Sequence, residues 1–168
     1  MSKSTITVPG DPTNVAVMAA IGHVCRQWSR LEMAVHGLLI TIEPMEWEKG
    51  AIIFGGLDLQ PRVNLAIQLA RYHKIPVRLI KRIEEIRSAL QKGGLADRRN
   101  QVVHGAHRDM ADSGTTLTML RWKGDRRSQT LSAQEISEIA NEAYALGDVA
   151  WQLMDDIRGW YENRFAEA

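Results

Sequence analysis

Two long stripes of apolar residues constrain this chain more than any other feature. In the first, Val17, Ile21, Val24, Trp28, Leu31, Val35, Leu38 and Ile42 recur alternately four and three apart. In the second, Ile136, Ile139, Ala143, Leu146, Ala150, Leu153, Ile157 and Trp160 do the same. A seven-residue repeat of this kind lines one face of a helix and has to be buried along its length, with left-handed packing. The first helix is expected over 11–42, with Asp11 as N-cap and Pro12 at the first helical position. At 1.5 Å per residue it is about 45 Å long, so an elongated bundle follows. Glu43-Pro44 ends it. The second long helix starts at a capping box, Ser132-Ala133-Gln134-Glu135, with Leu131 and Ile136 as its hydrophobic staple. It runs to about Arg164.

Between the stripes lie shorter elements. Residues 45–57 carry Trp47, Ile52, Ile53 and Phe54 among Gly50, Gly55 and Gly56; they read as a short helix or irregular segment, a candidate subunit contact. Asp58 caps a helix with Pro61 in its first turn and Val63, Ala66, Ile67 and Ala70 on its apolar face, to about His73. Pro76 opens another, striped by Leu79, Ile83, Ile86 and Leu90, and Gly93-Gly94 interrupts it. After Gly105 a polar stretch, 107–113, leads to β-branched, alternating residues 115–121. A turn at 123–125 and a returning strand at 127–131 complete a hairpin, which needs helices to pack on. The expected fold is mainly all-α: an antiparallel four- or five-helix up-and-down bundle with a small β-hairpin before the last helix. Residues 1–168 form one domain, with 1–10 a flexible N-terminus.

Composition narrows the function classes. A net charge of +1 gives no bulk field for nucleic acid, although the 21 Lys and Arg leave room for a local basic site. One cysteine, Cys25, excludes an intramolecular disulfide and fits a reducing compartment; within its apolar stretch it is expected buried and inert. No apolar run is long enough to span a membrane, and the N-terminal residues lack a signal peptide's apolar centre. The expectation is a soluble, cytoplasmic protein without a membrane partner.

Polar chemistry interrupts the helical pattern at one place, Asp97-Arg98-Arg99-Asn100-Gln101-Val102-Val103-His104-Gly105. Asn100 and His104 are four apart and share a helix face. Arg99 lies beside that face, with a side chain long enough to swing toward it. Gly105 suits the position just past a helix end, so His104 falls in the last turn, where carbonyl dipoles favour a cation. An arginine and a titratable histidine held together there can bind a phosphate and move a proton.

Arg99-Asn100-x-x-x-His104 resembles the signature of the HEPN domains (higher eukaryotes and prokaryotes nucleotide-binding), which carry an arginine, a polar residue and a histidine in this order near the end of a long helix. The resemblance covers most of the chain in helix order and is specific over the short motif. It implies metal-independent RNA cleavage, in which a 2′-hydroxyl attacks the neighbouring phosphodiester. His104 would then be the general acid/base, Arg99 would hold the scissile phosphate, and Asn100 would orient one of them. It further implies a homodimer with the two motifs facing each other, and a bacterial toxin or phage-defence role with an antitoxin protein as a possible partner. Arg98 and Arg108 cluster around the motif as candidate RNA contacts. The alternative is a non-catalytic helical-bundle dimer serving as a nucleotide-binding or protein-interaction module. The surroundings of His104 separate the two: solvent-reachable near Arg99 in a cleft with a symmetry mate for the nuclease, buried and fully hydrogen-bonded for a structural role.

Other residues carry plainer readings. His104 and His107 form H-x-x-H near Asp109 and Asp112, and Glu32 and His36 lie one turn apart, but Gly105 breaks the helical geometry between the two histidines. No metal and no cofactor is expected, and Glu32 and His36 are assigned to an exposed or partly buried flank. Arg78, Lys81, Arg82 and Arg87, interleaved with Glu84 and Glu85, read as a solvated helix face. Trp28, Trp151 and Trp160 read as core or interface. Trp47 and Trp122 fall outside the stripes and are candidate interface anchors or base-stacking surfaces.

Overall fold

The computed structural model describes residues 12–91, 93–104, 106–111, 114–120 and 126–166, with side chains described for 15–91, 93–104 and 131–166. The expected flexible stretch 1–10, the Asp11 cap, Gly105 and the 123–125 turn lie outside the described residues. The order is α1 (Pro12–Ile42), α2 (Trp47–Phe54), α3 (Leu59–Tyr72), α4 (Val77–Ala89), α5 (Leu95–His104), β1 (Ala106–Ala111), β2 (Gly114–Leu120), β3 (Arg126–Leu131) and α6 (Ala133–Ala166). The protein is mainly α-helical.

Both apolar stripes face inward. Val24, Leu31, Val35, Leu38 and Ile42 of α1 are fully buried, as are Ile136, Ala150, Leu153 and Ile157 of α6. Leu79, Ile83 and Ile86 of α4 and Val63, Ala66 and Ala70 of α3 join them in one continuous cluster, closed by Leu95 and Val102 of α5. Small residues let the long helices approach. Gly147 of α6 lies against the Leu31 backbone, and Gly37 of α1 makes room for the Met154 side chain.

The direction of that pairing corrects the expected antiparallel, up-and-down arrangement. Arg30 pairs with Asp148 at 2.6 Å, Gly37 meets Met154, and the Tyr161 hydroxyl donates to the Ile42 carbonyl at 2.8 Å. The numbers rise together, so α1 and α6 run parallel. Helices α4 and α5 run against α6, because Arg82 reaches Asp156 and Arg98 reaches Glu142. Helices α3 and α4 form an antiparallel pair clasped by Arg71 and Glu84. Heptad spacing is the same read in either direction, which is why it could not decide the sense of the contact.

The turns follow local chemistry. Lys74 adopts a left-handed φ of 58° between α3 and α4, and Gly93, at φ 81°, separates α4 from α5. The Gly93 amide donates to the Asp97 carboxylate at 2.6 Å, which fixes the start of α5. At α6 the capping box closes both ways: the Ser132 amide donates to Glu135 at 2.7 Å, and the Glu135 amide donates to the Ser132 hydroxyl at 3.2 Å. By contrast, Asp58 sits at the α3 N-cap without a side-chain capping bond.

The strands form an antiparallel sheet in the order β1-β2-β3. Thr115 stands opposite Leu131 and Leu120 opposite Arg126 in the second pair. Strand β1, opposite β2, occupies residues read only as a polar stretch before the hairpin, with an irregularity between Arg108 and Ala111. Short polar strands with this little alternation are not distinguishable from loop by period. The sheet joins α5 to α6, so α5 ends where the first strand begins.

Candidate active site

Arg99, Asn100 and His104 come together at the C-terminal half of α5. The Arg99 Nη1 donates to Asn100 Oδ1 at 2.9 Å and contacts His104 Nε2 at 3.2 Å. A guanidinium has no acceptor, so in this arrangement Nε2 accepts and the imidazole proton resides on Nδ1. Asn100 and His104 are exposed, and Arg99 is half-buried. His104 thus stands in solvent beside Arg99.

What holds Arg99 comes from the other end of the sequence. Its guanidinium lies over the Trp28 ring, 5.3 Å from the ring centroid, and its Nε is buried without a hydrogen-bond partner among the described residues. A guanidinium stacks on an aromatic face through both cation–π attraction and its own flatness. Trp28 is itself fixed, since its indole N–H donates to Glu32 Oε1 at 2.8 Å. The Glu32–Trp28–Arg99 chain therefore runs from α1 into the motif. Trp28 was expected as a core or interface residue; it is 6% exposed and serves as the platform for Arg99 as well. A tryptophan in a heptad stripe with a glutamate four residues on is the only local signal of this, and nothing in it points to position 99.

The remaining candidates are distributed differently. Arg98 turns away from the motif and grips Glu142 of α6 with two donors, one at 2.8 Å. The hydrogen bond to Glu142, aided by its charge and opposed by burial, raises the Arg98 pKa. Arg108 lies on β1 opposite Thr116, and its side chain, like those of His107, Asp109 and Trp122, lies outside the described residues. Among the described residues no group of three or more His, Cys, Asp or Glu is arranged to hold a metal ion. His36 departs from the expected flank position: it is 6% exposed, its Nε2 has no partner among the described residues, and its ring meets Trp47 edge-on at 4.4 Å. Cys25, expected buried, is exposed. Among the described residues no helix is long and apolar enough to cross a membrane.

No protein-family model matches the chain, and no curated protein and no solved structure matches it either.

Proposed function

We propose that this chain is a metal-independent endoribonuclease of the HEPN type. The observation that carries the reading is the joint contact of Arg99 Nη1 with Asn100 and His104 at an exposed helix end. A phosphodiester arriving there competes for the guanidinium, because a charge-assisted bond to phosphate is stronger than one to a neutral imidazole. Drawing Arg99 onto the phosphate releases the His104 Nε2 lone pair. That nitrogen then takes the proton of the 2′-hydroxyl as its oxygen attacks phosphorus, and Arg99 meets the developing negative charge. The 5′-oxygen leaves with a proton, giving 2′,3′-cyclic phosphate and 5′-hydroxyl ends.

In this in-line displacement the attacking and leaving oxygens lie on opposite sides of phosphorus, and one imidazole reaches only one of them. The reading therefore includes a homodimer, the partner's His104 serving the second proton. Exposed Ile52 and Ile53, at 84% and 51%, supply apolar surface for such an assembly. A role as a cytoplasmic toxin or phage-defence nuclease, restrained by an antitoxin protein over the site, belongs to the same proposal. Arg108 is retained as an RNA phosphate contact, and Arg98 serves as one only by leaving Glu142.

The test is the chemistry of the ends. RNA incubated with the protein in EDTA is expected to yield 2′,3′-cyclic phosphate and 5′-hydroxyl termini. Cleavage that requires added Mg²⁺, or that leaves 5′-phosphates, contradicts the scheme. Absence of cleavage together with retained nucleotide binding favours the non-catalytic module.

A further inference from the structure

Glu32, which accepts from the Trp28 indole beneath Arg99, also lines a cleft of about 290 Å³, together with Ser29, Met33, His36, Trp47 and Arg62, among others. It is close to the smallest clefts that hold small ligands. Its chemistry is selective. Glu32 presents a carboxylate with one oxygen already oriented by the Trp28 indole N–H. Trp47 is 41% exposed, so part of the residue is open to a planar ligand, and its ring meets the His36 imidazole edge-on. His36 itself is buried, and its Nε2 has no hydrogen-bond partner among the described residues. Leaving a buried polar nitrogen unmatched is destabilising, and such atoms persist where a site has a use for them. Arg62 is anchored at the cleft by donating to the Leu57 carbonyl at 2.7 Å and the Gly55 carbonyl at 3.1 Å. Gly50 allows α2 to lie close to α1 here, since a Cβ there would overlap the Ile40 Cγ2 and crowd the His36 ring.

We infer that this cleft is a nucleobase subsite that selects guanine, linked to Arg99 through the Glu32–Trp28 hydrogen bond. The inference rests on the nuclease reading for the identity of the polymer, and on the cleft alone for the base. A carboxylate accepts and cannot donate. Guanine is the one common base whose Watson–Crick edge offers two adjacent N–H donors, N1–H and the N2 amino group, to a two-oxygen acceptor. Adenine and cytosine each set a ring-nitrogen lone pair beside their amino group, and uracil flanks its single N–H with carbonyls, so each meets the carboxylate with a repelling atom. Unstacked RNA bases are read in this way, by edge hydrogen bonds and stacking on an aromatic ring. Trp47 supplies the stacking surface, which is tolerant of sequence, and Glu32 supplies the choice.

The experiment is equilibrium binding of the four nucleoside 5′-monophosphates to the whole protein, read by tryptophan fluorescence and confirmed by calorimetry. All four carry the same phosphate, so differences report the base. Guanosine monophosphate is expected to bind at least tenfold tighter than the others. Glu32→Gln, which keeps an acceptor for Trp28, should bring the four within about threefold of each other, and Trp47→Ala should weaken all four. No preference in the parent, or a preference that survives Glu32→Gln in a protein with unchanged circular dichroism, overturns the subsite. Guanine selectivity without RNA cleavage supports the subsite and removes only the nuclease reading. RNA cleavage without guanine selectivity in binding removes only the subsite.

Discussion

Arg99 is the residue on which the site turns, because three partners depend on one side chain. Its Nη1 holds Asn100 and His104 while its guanidinium carbon lies over the Trp28 ring. A lysine retains the charge but neither the plane nor the fork of donors. Arg99→Ala is therefore expected to slow RNA cleavage by about 10²–10³, the scale of losing a preorganised donor to developing charge. Arg99→Lys should recover part of that, and single-turnover cleavage rates of the three proteins decide the order. If Lys restores full activity, only a point charge is needed and the stacked geometry has no part in the reaction. At this scale the sequence told half the story. The i, i+4 relation of Asn100 and His104 is written in their spacing. The Trp28 platform, far away along the chain, is created only when α5 crosses α1. Cys25 misled for a related reason: it sits one position past the stripe residue Val24, on the side α1 turns to solvent.

At the scale of elements, the clearest local instruction in the chain is the start of α6. Ser132 and Glu135 satisfy each other's amides as the capping-box pattern requires, and Leu131 and Ile136 close the staple by burial. The Ser132 amide, then its hydroxyl, hold the Glu135 carboxyl below its ordinary value. A lowered pKa in the folded state means that the box contributes above the unfolded-state value of 4.5 and fades as pH falls through the folded value. The melting-temperature difference between the parent and Glu135→Gln should be steady from pH 7 to pH 5 and shrink below about pH 4. A difference that grows on acidification contradicts the assignment. Ser132→Ala should lower stability by about 1 kcal/mol at neutral pH. Strand β1 was the least legible element, since its polar residues carry no period that separates strand from loop.

For the whole molecule, periodicity identified the two long helices and the faces they bury, but not their mutual direction or the company of α5. Those depend on connections. Helix α2 returns the chain so that α3 runs with α1, its end meeting the end of α1 through His73 and Glu43. The Lys74 turn and the sheet then each reverse the chain, so that α1 and α6 end side by side in the same sense. The resulting bundle leaves Ile52 and Ile53 in solvent on α2. If they cover each other across a second copy, sedimentation equilibrium at micromolar concentration should give twice the chain mass of 18.9 kDa. Ile52→Glu with Ile53→Glu should return it to one chain and suppress cleavage together. A parent protein that sediments as a monomer yet cleaves RNA removes the dimer from the mechanism. The central claim, that His104 moves the proton, has its most direct test in one comparison. Parent and His104→Ala are incubated with the same labelled RNA in EDTA, and initial cleavage rates are measured beside their melting curves. Because His104 is an exposed residue in the last turn of α5, the variant should melt within a few degrees of the parent. Its cleavage should be slower by about 10²–10⁴, the range of a lost general acid/base. Equal rates from two equally folded proteins would contradict the account.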